Sequence, residues 1–322
     1  MMQRLSAQLP MWARTDHPVL RYELGRAQRV SRRTRYLRIA GYAALLVILL
    51  WGGYAIATSF FQNAAGQNLT ESLSAVVFWP TLLVQVILQI AALTLTVNMV
   101  SEQKRRQTWD NVRATEDGAA VSLRARWALV FYRLRPLLAF VLLVRLLMIG
   151  GILVDLTAFQ GRYIDLLING VTPAVPPLVA ALLLAFLMTA SLLLPLTSVG
   201  LAAALGLLVS VNFQQRVYSV LTQVVLIVFL LLVTVLLTVG ATQFVRGELT
   251  LSDGSALALM GSFAAVGDWG MSYLHLGFYS EIWATVPYAI FLGIALLIFA
   301  MAQSALAEWL LALAIRRAER NG

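Results

Sequence analysis

Few residues in this 322-residue chain have side chains suited to chemistry, and the conspicuous ones sit inside apolar stretches. Arg145 lies near the middle of the stretch 136–157. A guanidinium at the centre of a membrane helix costs about 2.5–3.5 kcal/mol on insertion scales, so it requires a partner. Glu308, in the stretch 283–315, falls at a similar depth from the basic chain ends, which makes an Arg145–Glu308 pair the sharpest geometric expectation. The competing reading has Arg145 snorkelling or facing a water-filled cavity while Glu308 reaches the inner interface. Gln85, Gln89 and Thr96 share one face of the stretch 75–99. A buried amide needs a partner, so that face meets protein or a cavity rather than lipid, as helix–helix contact or as substrate contact. Thr234, Thr238 and Thr242 repeat every fourth residue and read as packing positions.

Familiar catalytic patterns are missing. There is no Gly-rich phosphate loop ending in Lys-Ser/Thr, no Gly-x-Ser-x-Gly elbow and no His-Glu-x-x-His. Without cysteine, disulfides, thiolate metal sites and iron–sulfur clusters are excluded. Two histidines, His17 and His275, argue against a bis-histidine haem, and His275 reads as a polar residue of an outer segment. No metal or other cofactor is expected. Nothing converges on a reaction centre, which favours transport or assembly over catalysis.

The elements that must position these side chains follow from hydropathy. Apolar residues make up 60% of the chain and charged residues 12%, about half the charged share of a soluble domain. The apolar blocks exceed the roughly 18 residues that mark a membrane helix. The expected fold is therefore all-α and polytopic, with six transmembrane helices at about 39–61, 75–99, 136–157, 171–211, 217–243 and 283–315. Residues 1–38 form a cytoplasmic and interfacial amphipathic segment, 39–315 the transmembrane domain and 316–322 a basic tail. The polar lead of nearly forty residues is too long for a signal-peptide n-region, so the first span is expected to be retained. Trp51, Trp79, Trp269 and Trp283 fall near the interfaces and read as belt anchors.

Charge sets the orientation. The net charge of +9 comes in blocks: nine arginines before residue 39, eight basic residues from Lys104 to Arg135, and Arg316, Arg317 and Arg320 at the end. Their alternation with segments poor in Lys and Arg is the positive-inside pattern, so both termini are expected to be cytoplasmic in a cell inner membrane. Anionic lipid, not nucleic acid, is the partner implied by the basic flanks. Parity then resolves the stretch 171–211, twice the length of one crossing and interrupted by Pro195. One crossing leaves Arg316, Arg317 and Arg320 inside, so a single long helix, kinked at Pro195, is expected. Residues 244–282 carry Glu248, Asp253, Asp268 and Glu281 against one Arg246, as suits an outer region. Its glycine-broken apolar stretch suggests re-entrant or interfacial helices rather than another crossing.

The polar segment 101–134 carries a resemblance. Residues 101–115 read SEQKRRQTWDNVRAT. With Glu102, Arg105, Thr108, Trp109, Asp110 and Thr115, this resembles the cytoplasmic loop of type-2 ABC exporter permeases. There a Glu, a basic pair, a Gly-Thr step, a short amphipathic helix and a Thr-Pro recur. Gln107 stands where that family has Gly, and Glu116 where it has Pro. The run HPVLRYEL at 17–24 is similar to the family's N-terminal interfacial helix. The resemblance implies a transmembrane permease that is not itself catalytic. It would pair with a second permease subunit, as homo- or heterodimer, and receive a separate cytoplasmic ATPase subunit. Residues 108–115 would then form a coupling helix, with Trp109 and Val112 on one side to fill a groove of that ATPase. Read without the resemblance, the segment is a solvated charged connector. The chain as a whole also fits a non-catalytic membrane scaffold subunit of a respiratory or photosynthetic complex. A secondary transporter would show an internal repeat, and the two halves show none.

Overall fold

A computed structural model describes residues 10–14, 20–21, 69–97, 99–100, 118–158, 176–213, 215–274 and 291–320, together with isolated positions between 33 and 52 and at Gln103 and Trp109. Among the described residues every regular element is helical. A 3-10 turn at Met11–Ala13 precedes α1 (Leu69–Val97), α2 (Gly118–Arg133), α3 (Arg135–Ala158), α4 (Pro177–Asn212) and α5 (Arg216–Val245). Then come α6 (Asp253–Ser262), a π-helical turn (Phe263–Gly267), a 3-10 turn (Ser272–Leu274) and α7 (Leu292–Arg320).

Five of these, α1, α3, α4, α5 and α7, are long and apolar enough to cross a membrane. The expected first span, 39–61, lies mostly outside the described residues, as do 15–19 with His17, most of the expected interfacial helix at 16–38, and 275–290 with His275 and Trp283. The stretch 171–211 resolves as expected into one helix rather than a hairpin, with Pro195 inside it. Pro176 and Pro177 open that helix, where a missing N–H costs nothing. The polar segment 101–134 is not a loop throughout. Its second half is α2, a helix that buries Ala119, Leu123, Ala125 and Leu129. Leu134 alone separates α2 from α3, and the bonds Leu134 N–H to Val130 O and Leu138 N–H to Leu134 O, both 2.9 Å, carry the ladder across it.

Side-chain contacts fix the direction of each helix. Val84 and Leu88 of α1 cluster with Leu138 and Val141 of α3, and Phe78 with Val144, Met148 and Ile152, so α1 and α3 are antiparallel. Helices α4 and α7 run parallel: Gly293 meets Leu183 and Leu187, Gln303 meets Thr197 and Ser198, and Arg317 donates to Asn212. Along α1 and α5, Ser219 donates to the Val97 carbonyl at 3.0 Å and Gln223 to Thr94 at 2.9 Å, an antiparallel pairing. The ends of α1, α4 and α7 therefore share one side with the start of α5, with α2 and with Met11–Ala13. That side carries Arg124, Arg133, Arg135, Arg316, Arg317 and Arg320, and is called the basic end below. Gly206 lets α4 press on α1, since a Cβ there would stand 2.0 Å from Thr96 Oγ1 and 2.9 Å from the Leu93 carbonyl. Helix α5 exposes Val217, Leu221, Val225, Phe229, Leu232 and Leu236, an apolar surface suited to lipid or another chain.

Candidate functional site

Arg145 is fully buried at mid-height of the helices, and its partners come from three different parts of the fold. It donates Nη1 to the carbonyls of Ser191 and Trp269, the latter at 2.6 Å, and Nη2 to the Asp268 carbonyl at 3.0 Å. Gln85 completes the set. With its amide oriented to satisfy both ends, Oε1 accepts from Arg145 Nη2 at 2.7 Å and Nε2 donates to the Asp268 carbonyl at 3.3 Å. Four of the five guanidinium N–H donors are thereby engaged.

Each partner is available for a local reason. Proline has no N–H, so Pro195 leaves the carbonyl four residues earlier, at Ser191, without its helical donor. Arg145 takes that orphan. At Asp268 the chain leaves the π-helical turn and reverses through two residues of positive φ, Trp269 at 56° and Gly270 at 78°. The Asp268 carboxylate holds this reversal by accepting from the N–H groups of Gly270 at 2.9 Å and Ser272 at 2.7 Å. The reversal turns two main-chain carbonyls toward Arg145. A tryptophan in the left-handed region costs on the order of 1 kcal/mol, supported here by complete burial of its ring. Arg145 and Asp268, both fully buried, also compensate each other electrostatically without a direct ion pair.

The expected Arg145–Glu308 pair does not form. Gly270 packs between Ser191 and Leu296, which puts Leu296 at the height of Arg145. Glu308 lies twelve residues further along α7, about 18 Å at 1.5 Å per residue, and is exposed. The residue spacing was sound within each helix, but α7 projects further past the basic end than the span 283–315 implies. Trp269 is likewise not a belt anchor: it is buried in the core cluster with Met260, Phe263 and Leu296. Trp79 is half-buried edge-on to Phe78, and Trp51 is exposed.

Of the other intramembrane candidates, Thr96 is buried and donates to the carbonyls of Ala92 and Leu93, and Gln89 is half-buried. Thr234, Thr238 and Thr242 each donate to the carbonyl four residues earlier in their own helix.

Of the expected coupling residues, Glu102, Arg105, Thr108, Asp110, Val112 and Thr115 lie outside the described residues. Trp109 is described, and it corrects the expectation. Its side chain is 2% exposed, packed with Val100, Ala119, Leu123, Leu207, Val211, Leu311 and Ala314. The Arg126 guanidinium lies 5.8 Å from its ring centre. An indole already enclosed by α2, α4 and α7 cannot fill a groove on another protein. Chemically, the described residues offer no group of three or more His, Cys, Asp or Glu that could hold a metal. The Arg145 cluster is a latch between helices, and Trp109 a wedge at their basic end.

No protein-family model matches the sequence, and no curated protein or solved structure matches it either.

Proposed function

We propose that the chain is the permease subunit of an ATP-binding-cassette exporter, embedded in the cell membrane with its basic end and both termini in the cytoplasm. The observation that carries this reading is the seat of Trp109. The segment between α1 and α2 inserts the Trp109 side chain between the basic ends of α4 and α7, so a force on that segment is delivered directly to two long helices. In this reading the polar residues around Trp109 meet the ATPase, and Trp109 transmits the movement. The stretch 39–61 supplies the sixth crossing.

The opposite half of the molecule supports the same reading. Arg145 is ten residues from Arg135, about 15 Å along α3, or half the thickness of the apolar core of a bilayer. The segment from α6 to the Ser272–Leu274 turn starts beyond α5 and reaches Arg145. In this reading it enters the membrane from the outer side, as a re-entrant element. Irregular backbone at that depth is tolerated only where protein satisfies it, and Arg145 and Gln85 do so. Such a plug, held by Arg145 and Gln85, provides an outer gate for alternating access.

The test is purification of the full chain from native membranes, followed by ATPase measurements on the complex. A co-purifying subunit with Walker motifs is expected. Trp109→Ala should retain that subunit and lose most of the permease-dependent change in its ATPase rate, while Trp109→Phe keeps it. Co-purifying redox subunits without an ATPase would favour the membrane-scaffold reading instead.

A further inference from the structure

A second site lies at the basic end, away from Arg145 and beside the seat of Trp109, with which it shares Leu311. Helices α2, α4 and α7 and the Met11–Ala13 turn enclose an open cleft of about 930 Å³. Clefts that hold small ligands run to about 300–1,000 Å³. Its wall is an aromatic ladder: Trp12 stands edge-on to Trp127 at 6.2 Å, and Trp127 edge-on to Phe131 at 4.9 Å. Trp127 is fixed by its indole N–H, which donates to the Gly200 carbonyl at 2.9 Å. That carbonyl belongs to a helix interior, so the indole is held rigidly.

Two opposite charges face this cleft. Arg124 of α2 and Glu308 of α7 both line it, both are exposed, and neither makes an ion pair or hydrogen bond among the described residues. They do not bridge to each other. A cation and an anion held apart in one apolar cleft complement a ligand that carries both charges at fixed separation on an apolar body.

The height of the cleft identifies that ligand. Ser191 stands at mid-membrane beside Arg145, and Gly200 is nine residues, about 14 Å, nearer the basic end. Leu296 stands at the same height as Ser191, and Glu308 is about 18 Å from it. Half the apolar thickness is about 15 Å, so Gly200, Glu308 and the exposed Trp309 lie at the headgroup boundary. Leu196 and Ser304 extend the cleft into the hydrocarbon. Tryptophans favour this boundary because one face of the ring is apolar and the N–H is polar.

We infer that this cleft binds a zwitterionic phospholipid from the leaflet at the basic end, with Arg124 on the phosphate and Glu308 on the ammonium group. The acyl chains lie toward Leu196 along the aromatic wall. An anionic lipid satisfies Arg124 but sets its charge near Glu308, so the pair selects for phosphatidylethanolamine over phosphatidylglycerol. The inference holds whether or not an ATPase partner exists.

Native mass spectrometry of the detergent-purified full chain, titrated with each lipid, tests it. One retained phosphatidylethanolamine per chain is expected, bound about fivefold tighter than phosphatidylglycerol, the upper range for an exposed charge pair. Glu308→Gln should remove the preference, Glu308→Lys should invert it, and Arg124→Gln should weaken both lipids. Both side chains are exposed, so size-exclusion profiles of all three variants should match the parent. Equal, non-saturating adducts of both lipids would overturn the inference. So would no retained lipid, as when another part of the chain fills the cleft, or variants that leave the preference intact.

Discussion

Replacing Arg145 by Met removes the donors of the latch while keeping an unbranched side chain of similar length. The loss can be worked from its contacts. The carbonyls of Ser191 and Trp269 and the Gln85 amide oxygen would be left buried without the donor they now have, and the Asp268 carbonyl would keep only the 3.3 Å bond from Gln85. A buried polar group stripped of its partner costs about 1–3 kcal/mol, and removing one of two compensating buried charges about 3–5 kcal/mol. These terms overlap, and a net destabilisation of about 3–5 kcal/mol is expected. Arg145→Lys keeps the charge but has three donors where four are used, so about 1–2 kcal/mol is expected. Asp268→Asn leaves one acceptor for the two N–H groups of Gly270 and Ser272, and the double variant should cost less than the two singles together. Unfolding equilibria in mixed micelles give the energies, and hydrogen exchange locates the effect. The amides of residues 268–272 should exchange faster in Arg145→Met than those of the centre of α4. An Arg145→Met protein within about 0.5 kcal/mol of the parent, with unchanged exchange at 268–272, would refute the reasoning.

Two further outcomes use the same unfolding measurement. Pro195→Ala restores an N–H opposite the Ser191 carbonyl, so Arg145→Met should cost about 1 kcal/mol less in that background than alone. Gly206→Ala drives a methyl into Thr96 and the Leu93 carbonyl, and should destabilise by about 1–3 kcal/mol; adding Thr96→Ser should not relieve the contact with the main chain.

The helices were legible because lipid-facing and core-facing residues are both apolar, and length alone then separates one element from the next. Arg145 and Gln85 stood out for the same reason, as polar side chains where the surroundings are hydrocarbon. Their partners were harder to read. Main-chain carbonyls have no residue type, so in the sequence the charged mate that offers itself is Glu308. Pro195 was the overlooked signal, since a proline inside a membrane helix frees a carbonyl one turn back. Asp268 read as one acid among four on an outer segment, because charge counting registers composition and not whether a loop folds inward. The glycines at 267 and 270 around Asp268 and Trp269 suggested a break in the helix, but not where its carbonyls would aim. Trp109 stands out in the sequence as an apolar residue on a polar segment. Periodicity over so short a segment cannot distinguish a side chain offered to a partner from one buried at home, and its neighbours at 207, 211, 311 and 314 are distant in sequence.

The absence of cysteine allows a direct test of the coupling arm. Thr108→Cys places a single thiol one residue before Trp109. A thiol-directed photo-cross-linker attached there in inverted membrane vesicles should capture a polypeptide with Walker motifs, and a membrane-impermeant maleimide should label the thiol only from the cytoplasmic face. Labelling from the outer face of intact cells, or capture only of proteins that do not hydrolyse ATP, would contradict the exporter account.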